Sequence, residues 1–223
     1  MTWVLFDLNG TLLATRAPST VRCLTGTGLR RRRSERRCCS RWHSRTSPST
    51  ARSPTWVRSA LRRELELAGM PEQLDRAVDA AGRLEPFPDA AAALDVLAGA
   101  GCRLGVLTNS EGSAAEGNLT RVGLRDRFER VVGTEQVRAY KPRPELYRRA
   151  LEELEAPSDE VWLVTAHGWD ALGARHAGLS SAWVSRREGV LLDVVPEPDV
   201  RAEDLRGAAA GIVNAFRGAV PAG

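Results

Sequence analysis

Apolar and polar positions recur along this chain at two periods. Trp3-Val4-Leu5-Phe6 is an uninterrupted apolar run that stops at Asp7 and passes into Asn9-Gly10-Thr11, the pattern of a buried strand delivering an acid at its carboxyl end. Short apolar runs return at 103–108, 130–133, 161–165 and 181–185. Between them, apolar residues at helical spacing predict helices over Asp89 to about Ala98, Ser113 to Val122, Pro144 to about Glu155, Trp169 to Ala177 and Ala202 to Phe216. Strands without a polar face, alternating with helices, predict an α/β fold: one doubly wound, five-stranded parallel sheet. Such sheets carry their chemistry at the carboxyl ends of the strands.

Residues 15–55 keep neither period. Arg, Ser, Thr, Pro and Cys dominate there, and such a segment buries too little apolar surface to offset its ordering entropy. Helical spacing resumes with Trp56, Val57, Ala60, Leu61, Leu65 and Leu67, and Gly69-Met70-Pro71 ends that helix. A second helix is expected over Glu72–Gly82, and Pro86-Phe87-Pro88 makes a stiff return. The chain therefore divides into a core, 1–14 with 86–223, and a helical insertion, 15–85.

Charge sharpens that division. Residues 16–58 hold twelve arginines against the single acid Glu35, which leaves −7 on the rest of a chain whose total is +4. The pI of 9.2 thus belongs to one segment. Three readings of 15–55 stand side by side: a basic arm for nucleic acid or other anions, a solvated linker, and the product of a local shift of reading frame in a GC-rich gene.

No run of eighteen apolar residues occurs, and Asp7 interrupts the first apolar run before a signal-peptide core could form. A soluble, cytoplasmic protein without membrane contact is the expectation. Cys23, Cys38, Cys39 and Cys102 form no C-x-x-C pair and no zinc-like spacing with His43, His167 or His176, so reduced thiols are expected.

Polar residues recur where strands end: Asp7, Thr108 with Asn109, Lys141 after the third strand, and Thr165 to Asp170 after the fourth. Each alone has an ordinary reading as a helix cap or solvated side chain. Their order is more specific. Asp7-Leu8-Asn9-Gly10-Thr11, Leu107-Thr108-Asn109-Ser110, Lys141-Pro142 with Glu145 and Tyr147, and Val164-Thr165-Ala166-His167-Gly168-Trp169-Asp170 together resemble the haloacid dehalogenase superfamily of hydrolases. The fourth motif and Lys141 to Tyr147 most resemble its type II 2-haloacid dehalogenases.

That resemblance implies a Rossmann-like core with a cap inserted after the first motif, and Asp7 as a nucleophile that forms an ester with substrate. It implies Lys141 keeping Asp7 ionised, Asp170 orienting Lys141 or the hydrolytic water, and Thr11, Thr108 and Thr165 bonding carboxylate oxygens. Asn109 would receive the halide and Tyr147 would shape the pocket. His167 stands where an amide-bearing residue is expected, with a binding or a purely structural role; Gly10 and Trp169 complete the set.

Phosphatase branches of the family carry a general acid where this chain has Asn9, and paired carboxylates for Mg²⁺ where it has His167. The expectation is therefore no cofactor and no metal, with a small halogenated carboxylate as partner; a Mg²⁺-dependent phosphatase, an inactive relative and a basic-arm nucleic-acid binder are the alternatives. A homodimer stays open, and the cap arginine implied for gripping substrate is assigned to no residue of 15–55.

Overall fold

The computed structural model describes residues 2–15, 54–135, 137 and 139–219. The expectations for most of 15–55, including Cys23, Cys38, Cys39, His43 and the cap arginine, lie outside the described residues. The chain splits into two compact units, Met1–Leu13 with Pro86–Gly223, and Ala14–Glu85.

In chain order the elements are β1 (Trp3–Phe6), β2 (Leu13–Thr15), α1 (Pro54–Leu67), α2 (Leu74–Gly82), β3 (Leu84–Pro86), α3 (Ala90–Gly99), β4 (Arg103–Leu107) and α4 (Gly112–Arg121). Then come β5 (Arg130–Val132), α5 (Pro144–Leu154), β6 (Val161–Thr165), α6 (Gly168–His176), β7 (Ser180–Val184), β8 (Val200–Ala202) and α7 (Leu205–Ala219).

In the smaller unit, Leu61 and Leu65, one helical turn apart on α1, bury against Ala77 of α2, with Met70, Leu74 and Val78 packed alongside. β2 and β3 form a two-stranded sheet that the sequence pattern did not predict, because three residues are too few to show a period.

The larger unit holds a six-stranded sheet in the order β5-β4-β1-β6-β7-β8, with every described pairing parallel. The expected count of five is corrected to six. Val200–Ala202, where the sequence pattern predicts no strand and places Ala202 at the start of the last helix, instead pairs with β7, Ala182 facing Val200 and Val184 facing Ala202. The helix starts later, at Leu205, where Asp204 Oδ1 accepts the Gly207 N–H at 2.7 Å.

The chain moves outward from β1 in both directions, so β1 is the switch point of the sheet. On one face Trp3 and Leu5 pack with Leu146, Tyr147, Ala150 and Leu154 of α5 and with Ala174 of α6. α3 and α7 pack against each other and bury Leu94, Leu97, Leu205 and Ile212.

Register decides what reaches the working edge. Phe6 is level with Val106 of β4 and Val164 of β6, and the Asp7 N–H extends the ladder to Val164 O at 3.0 Å. Asp7, Leu107 and Thr165 therefore emerge together at the carboxyl ends of three adjacent central strands.

Candidate active site

Asp7 is buried just beyond β1. Its Oδ1 lies 2.8 Å from Lys141 Nζ, and its Oδ2 accepts the Thr11 hydroxyl at 2.7 Å. Thr11 Oγ1 itself accepts the Ala166 N–H at 3.0 Å, so the turn after β1 is tied to the loop after β6. Lys141 has all three ammonium protons placed, on Asp7 Oδ1, on Leu107 O at 2.8 Å and on Asp170 Oδ2 at 2.7 Å. The peptide bond from Lys141 to Pro142 is cis.

One buried cation thus serves two buried acids. Burial alone would raise the Asp7 carboxyl, but Lys141, then His167, then the Thr11 bond hold it below the usual carboxylate value. Asp170 goes the other way: burial raises it, Lys141 opposes, and the charge on Asp7 raises it further. Burial works against the charge on Lys141, yet Asp170 and Asp7 together hold its ammonium above the usual lysine value.

Tyr147, expected to shape the pocket, stands behind Asp170. Its ring is fully buried and its hydroxyl donates to Asp170 Oδ1 at 2.6 Å. Burial and the adjacent carboxylate hold that phenol well above its ordinary range, so it remains a donor. Gly173 of α6 makes room for it, since a Cβ there would lie 2.4 Å from Tyr147 Oη.

Asn109 exchanges two bonds with the Lys141 main chain, its Oδ1 accepting the Lys141 N–H at 2.6 Å and its Nδ2 donating to Lys141 O at 3.2 Å. This fixes the lysine loop and leaves one amide proton of Asn109 outside that pair. Thr108 and Thr165, expected to bond carboxylates, have hydroxyl oxygens that accept main-chain N–H groups two residues on, from Ser110 at 3.1 Å and from His167 at 3.2 Å. Of the three threonines, Thr11 is the one with a bond to Asp7.

Asn9 donates to Ser110 Oγ at 3.2 Å. His167 stacks on Trp169, ring centroids 5.2 Å apart, and its Nε2 lies 3.1 Å from Asn9 O. Gly10 has φ +88°, a backbone angle that favours glycine, and a Cβ there would lie 2.6 Å from Arg187 Nη1 and 3.2 Å from His167 Nε2.

Sequence reasoning gave no role to three neighbours. Arg187 lies against Gly10, Glu188 Oε2 accepts the Gly168 N–H at 2.8 Å, and Ser110 receives Asn9. Arg187 and Glu188 follow β7 in a charged turn that carries no motif, so their only signal is spatial.

The chain is 30% identical over 128 residues to the (S)-2-haloacid dehalogenase of Pseudomonas sp. (strain YL), a stretch that covers 57% of this chain and 55% of that protein. The chain therefore spans about half the length of that relative. Among solved structures, its fold matches the L-2-haloacid dehalogenase RSc1362 with a TM-score of 0.76 at 22% identity, over 96% of this chain and 99% of that one. It also matches the L-2-haloacid dehalogenase from Xanthobacter autotrophicus with chloropropionic acid covalently bound, TM-score 0.71 at 22% identity, over 99% and 100% of the two chains. At such identities these likenesses are of fold alone. A family match described as haloacid dehalogenase-like hydrolase covers residues 1–178, and on that extent the chain belongs to the haloacid dehalogenase-like hydrolases.

Proposed function

We propose that this chain hydrolyses the carbon–halogen bond of a short (S)-2-haloalkanoate through an ester on Asp7. The observation that carries this reading is Asn9. Two residues beyond the nucleophile stands a carboxamide bonded to Ser110 Oγ, where a general acid would have to stand to protonate a departing alkoxide. Losing such an acid raises a barrier by roughly 3 to 5 kcal/mol when the leaving group is basic. A halide is so weak a base that it leaves unprotonated, and Asn9 then carries no penalty. The names of the relatives, (S)-2-haloacid dehalogenases, support the same substrate class.

In the first step an Asp7 oxygen attacks the halogen-bearing carbon from the face opposite the halogen. The C–O bond forms as the C–X bond breaks, and halide departs with the bonding pair. In the second step water adds to the Asp7 carboxyl carbon and the ester collapses, giving the inverted 2-hydroxy acid and a proton. Lys141 holds Asp7 ionised before attack, and Thr11 donates to Oδ2 as charge returns to the carboxylate. Asp170, steadied by Tyr147, positions Lys141 or orients the water, and the remaining amide proton of Asn109 meets the halide.

The test is a single turnover with (S)-2-chloropropionate in ¹⁸O-water. Label must enter Asp7 and reach product only in later turnovers; label appearing directly in the first product sinks the ester. Chloride release that persists in EDTA and vanishes in Asp7→Ala completes the expectation.

A further inference from the structure

We propose that the His167 imidazole occupies the seat a divalent cation would need beside Asp7, and does part of that cation's work with an N–H. Nε2 lies 3.1 Å from the main-chain oxygen of Asn9 and 3.6 Å from Asp7 Oδ2. A carbonyl oxygen only accepts, so Nε2 carries the proton and directs it between these two oxygens. A carboxylate and a carbonyl are the hard oxygen donors that Mg²⁺ takes at about 2.0 to 2.1 Å in near-octahedral geometry. Here a ring nitrogen stands against both.

The remaining acids do not offer another seat. Asp7 Oδ1 and Asp170 Oδ2 face the Lys141 ammonium, and Asp170 Oδ1 accepts Tyr147. Among the described residues no group of three His, Cys, Asp or Glu side chains is arranged to hold a metal. The donors present therefore do not fit the Mg²⁺ that phosphatase branches of this family use.

The ring is held in this position from several sides. Trp169 stacks on its face at 5.2 Å with 24° between planes, and its Nε2 edge lies over Gly10, 3.2 Å from where a Cβ would stand. Nδ1 faces Glu188 Oε1 at 3.9 Å, and Glu188 is anchored through Oε2 to the Gly168 N–H at 2.8 Å. The His167 N–H is fixed to Thr165 Oγ1 at 3.2 Å. Swinging the imidazole out to admit an ion would break the stack and the bond to Asn9 together. The charge on Asp7 is thus balanced by Lys141 at Oδ1, and by Thr11 and His167 on the Oδ2 side.

This inference deepens the proposed function but is tested without substrate, so its failure and that of the dehalogenation reading are distinguishable. Mn²⁺ alone is titrated into the full chain by electron paramagnetic resonance. The parent and His167→Asn are expected to show no saturable site that Asp7→Asn removes. His167→Asp, which places a third oxygen donor beside Asp7 and Asn9 O, is expected to bind at least ten-fold more tightly than the parent and to lose that site when Asp7→Asn is added. Saturable, Asp7-dependent binding by the parent overturns the proposal, as does a folded His167→Asp that gains nothing. Long-range ¹H–¹⁵N correlation on the parent gives a metal-free readout: protonated Nε2 is expected, and a neutral ring protonated at Nδ1 overturns the proposal even if His167→Asp does not fold.

Discussion

Lys141 Nζ meets Asp7 Oδ1 at 2.8 Å across 134 positions of sequence, with neither side chain more than 6% exposed. A lysine and an aspartate are rarely buried unless paired, and here the same ammonium also carries Asp170. Lys141→Met should therefore do two things. Urea unfolding should show a loss of about 3 to 5 kcal/mol, because two buried carboxylates lose their shared cation. Halide release should fall by roughly 10²- to 10³-fold or more. Lys141→Arg should not restore it, since a planar fork does not replace a point charge that bonds in three directions. A parental rate in Lys141→Met would remove Lys141 from the chemistry; a parental rate in Lys141→Arg would show that the charge suffices without the three-way geometry.

The titration of the same three groups fixes a pH dependence. Asp7 is held below its unfolded value, so the stability it contributes is present above about pH 4 and is lost as pH falls through the folded value. Lys141 is held above its unfolded value, so its contribution is complete below about pH 10 and is lost as pH rises through the folded value. Asp170, raised, opposes: its burden grows as pH rises from about 4 towards its own folded value. The acid limb of single-turnover halide release should accordingly lie below about pH 4, where an ordinary carboxylate would place it. A limb above pH 5, measured after rapid acidification, would contradict an ionised Asp7 held by Lys141.

Gly173→Ala probes the support behind Asp170. The added methyl would lie 2.4 Å from Tyr147 Oη and 2.9 Å from Pro142 Cβ, and Tyr147 is enclosed on all sides. Overpacking of this kind costs about 1 to 3 kcal/mol. The melting temperature should drop, with activity falling alongside it as Tyr147 is pushed off Asp170. Tyr147→Phe, measured by denaturant unfolding, should cost about 1 to 3 kcal/mol, because Asp170 Oδ1 loses its 2.6 Å donor.

Thr11 separates hydrogen bonding from packing. Thr11→Val keeps the shape but strips Asp7 Oδ2 of a donor and leaves the Ala166 N–H without its acceptor, a cost of about 1 to 3 kcal/mol. Thr11→Ser keeps both bonds. Activity and unfolding free energy should recover most of the loss in the serine variant; equal damage in both would assign Thr11 a packing role.

Much of this was legible in the chain itself. Strands of the β1 and β6 type announce themselves as unbroken apolar runs, because burial on both faces removes any polar alternation. The residues at their carboxyl ends follow from the sheet rule, and Asp7, Thr11, Lys141 and Asp170 do converge. β8 was hidden because three residues carry no readable period, and its pairing to β7 is decided by a neighbour far along the chain.

What sequence could not assign was the partner of each polar group. Asn109, expected to receive the halide, also shares two bonds with the Lys141 main chain, and Tyr147, expected to shape the pocket, donates to Asp170 from behind. Residue types limit which bonds a group can make, but distance and direction choose among them, and those arise only when β1, β4 and β6 are laid side by side. The sequence by itself determined a parallel α/β core with an acid at its central strand. The tertiary structure decided the atoms: that the Lys141 ammonium bonds Asp7 Oδ1 and Asp170 Oδ2 at once, that Glu188 backs His167, and that an imidazole stands between Asn9 O and Asp7. Each of these is a contact between residues whose separation along the chain holds no local signal of it.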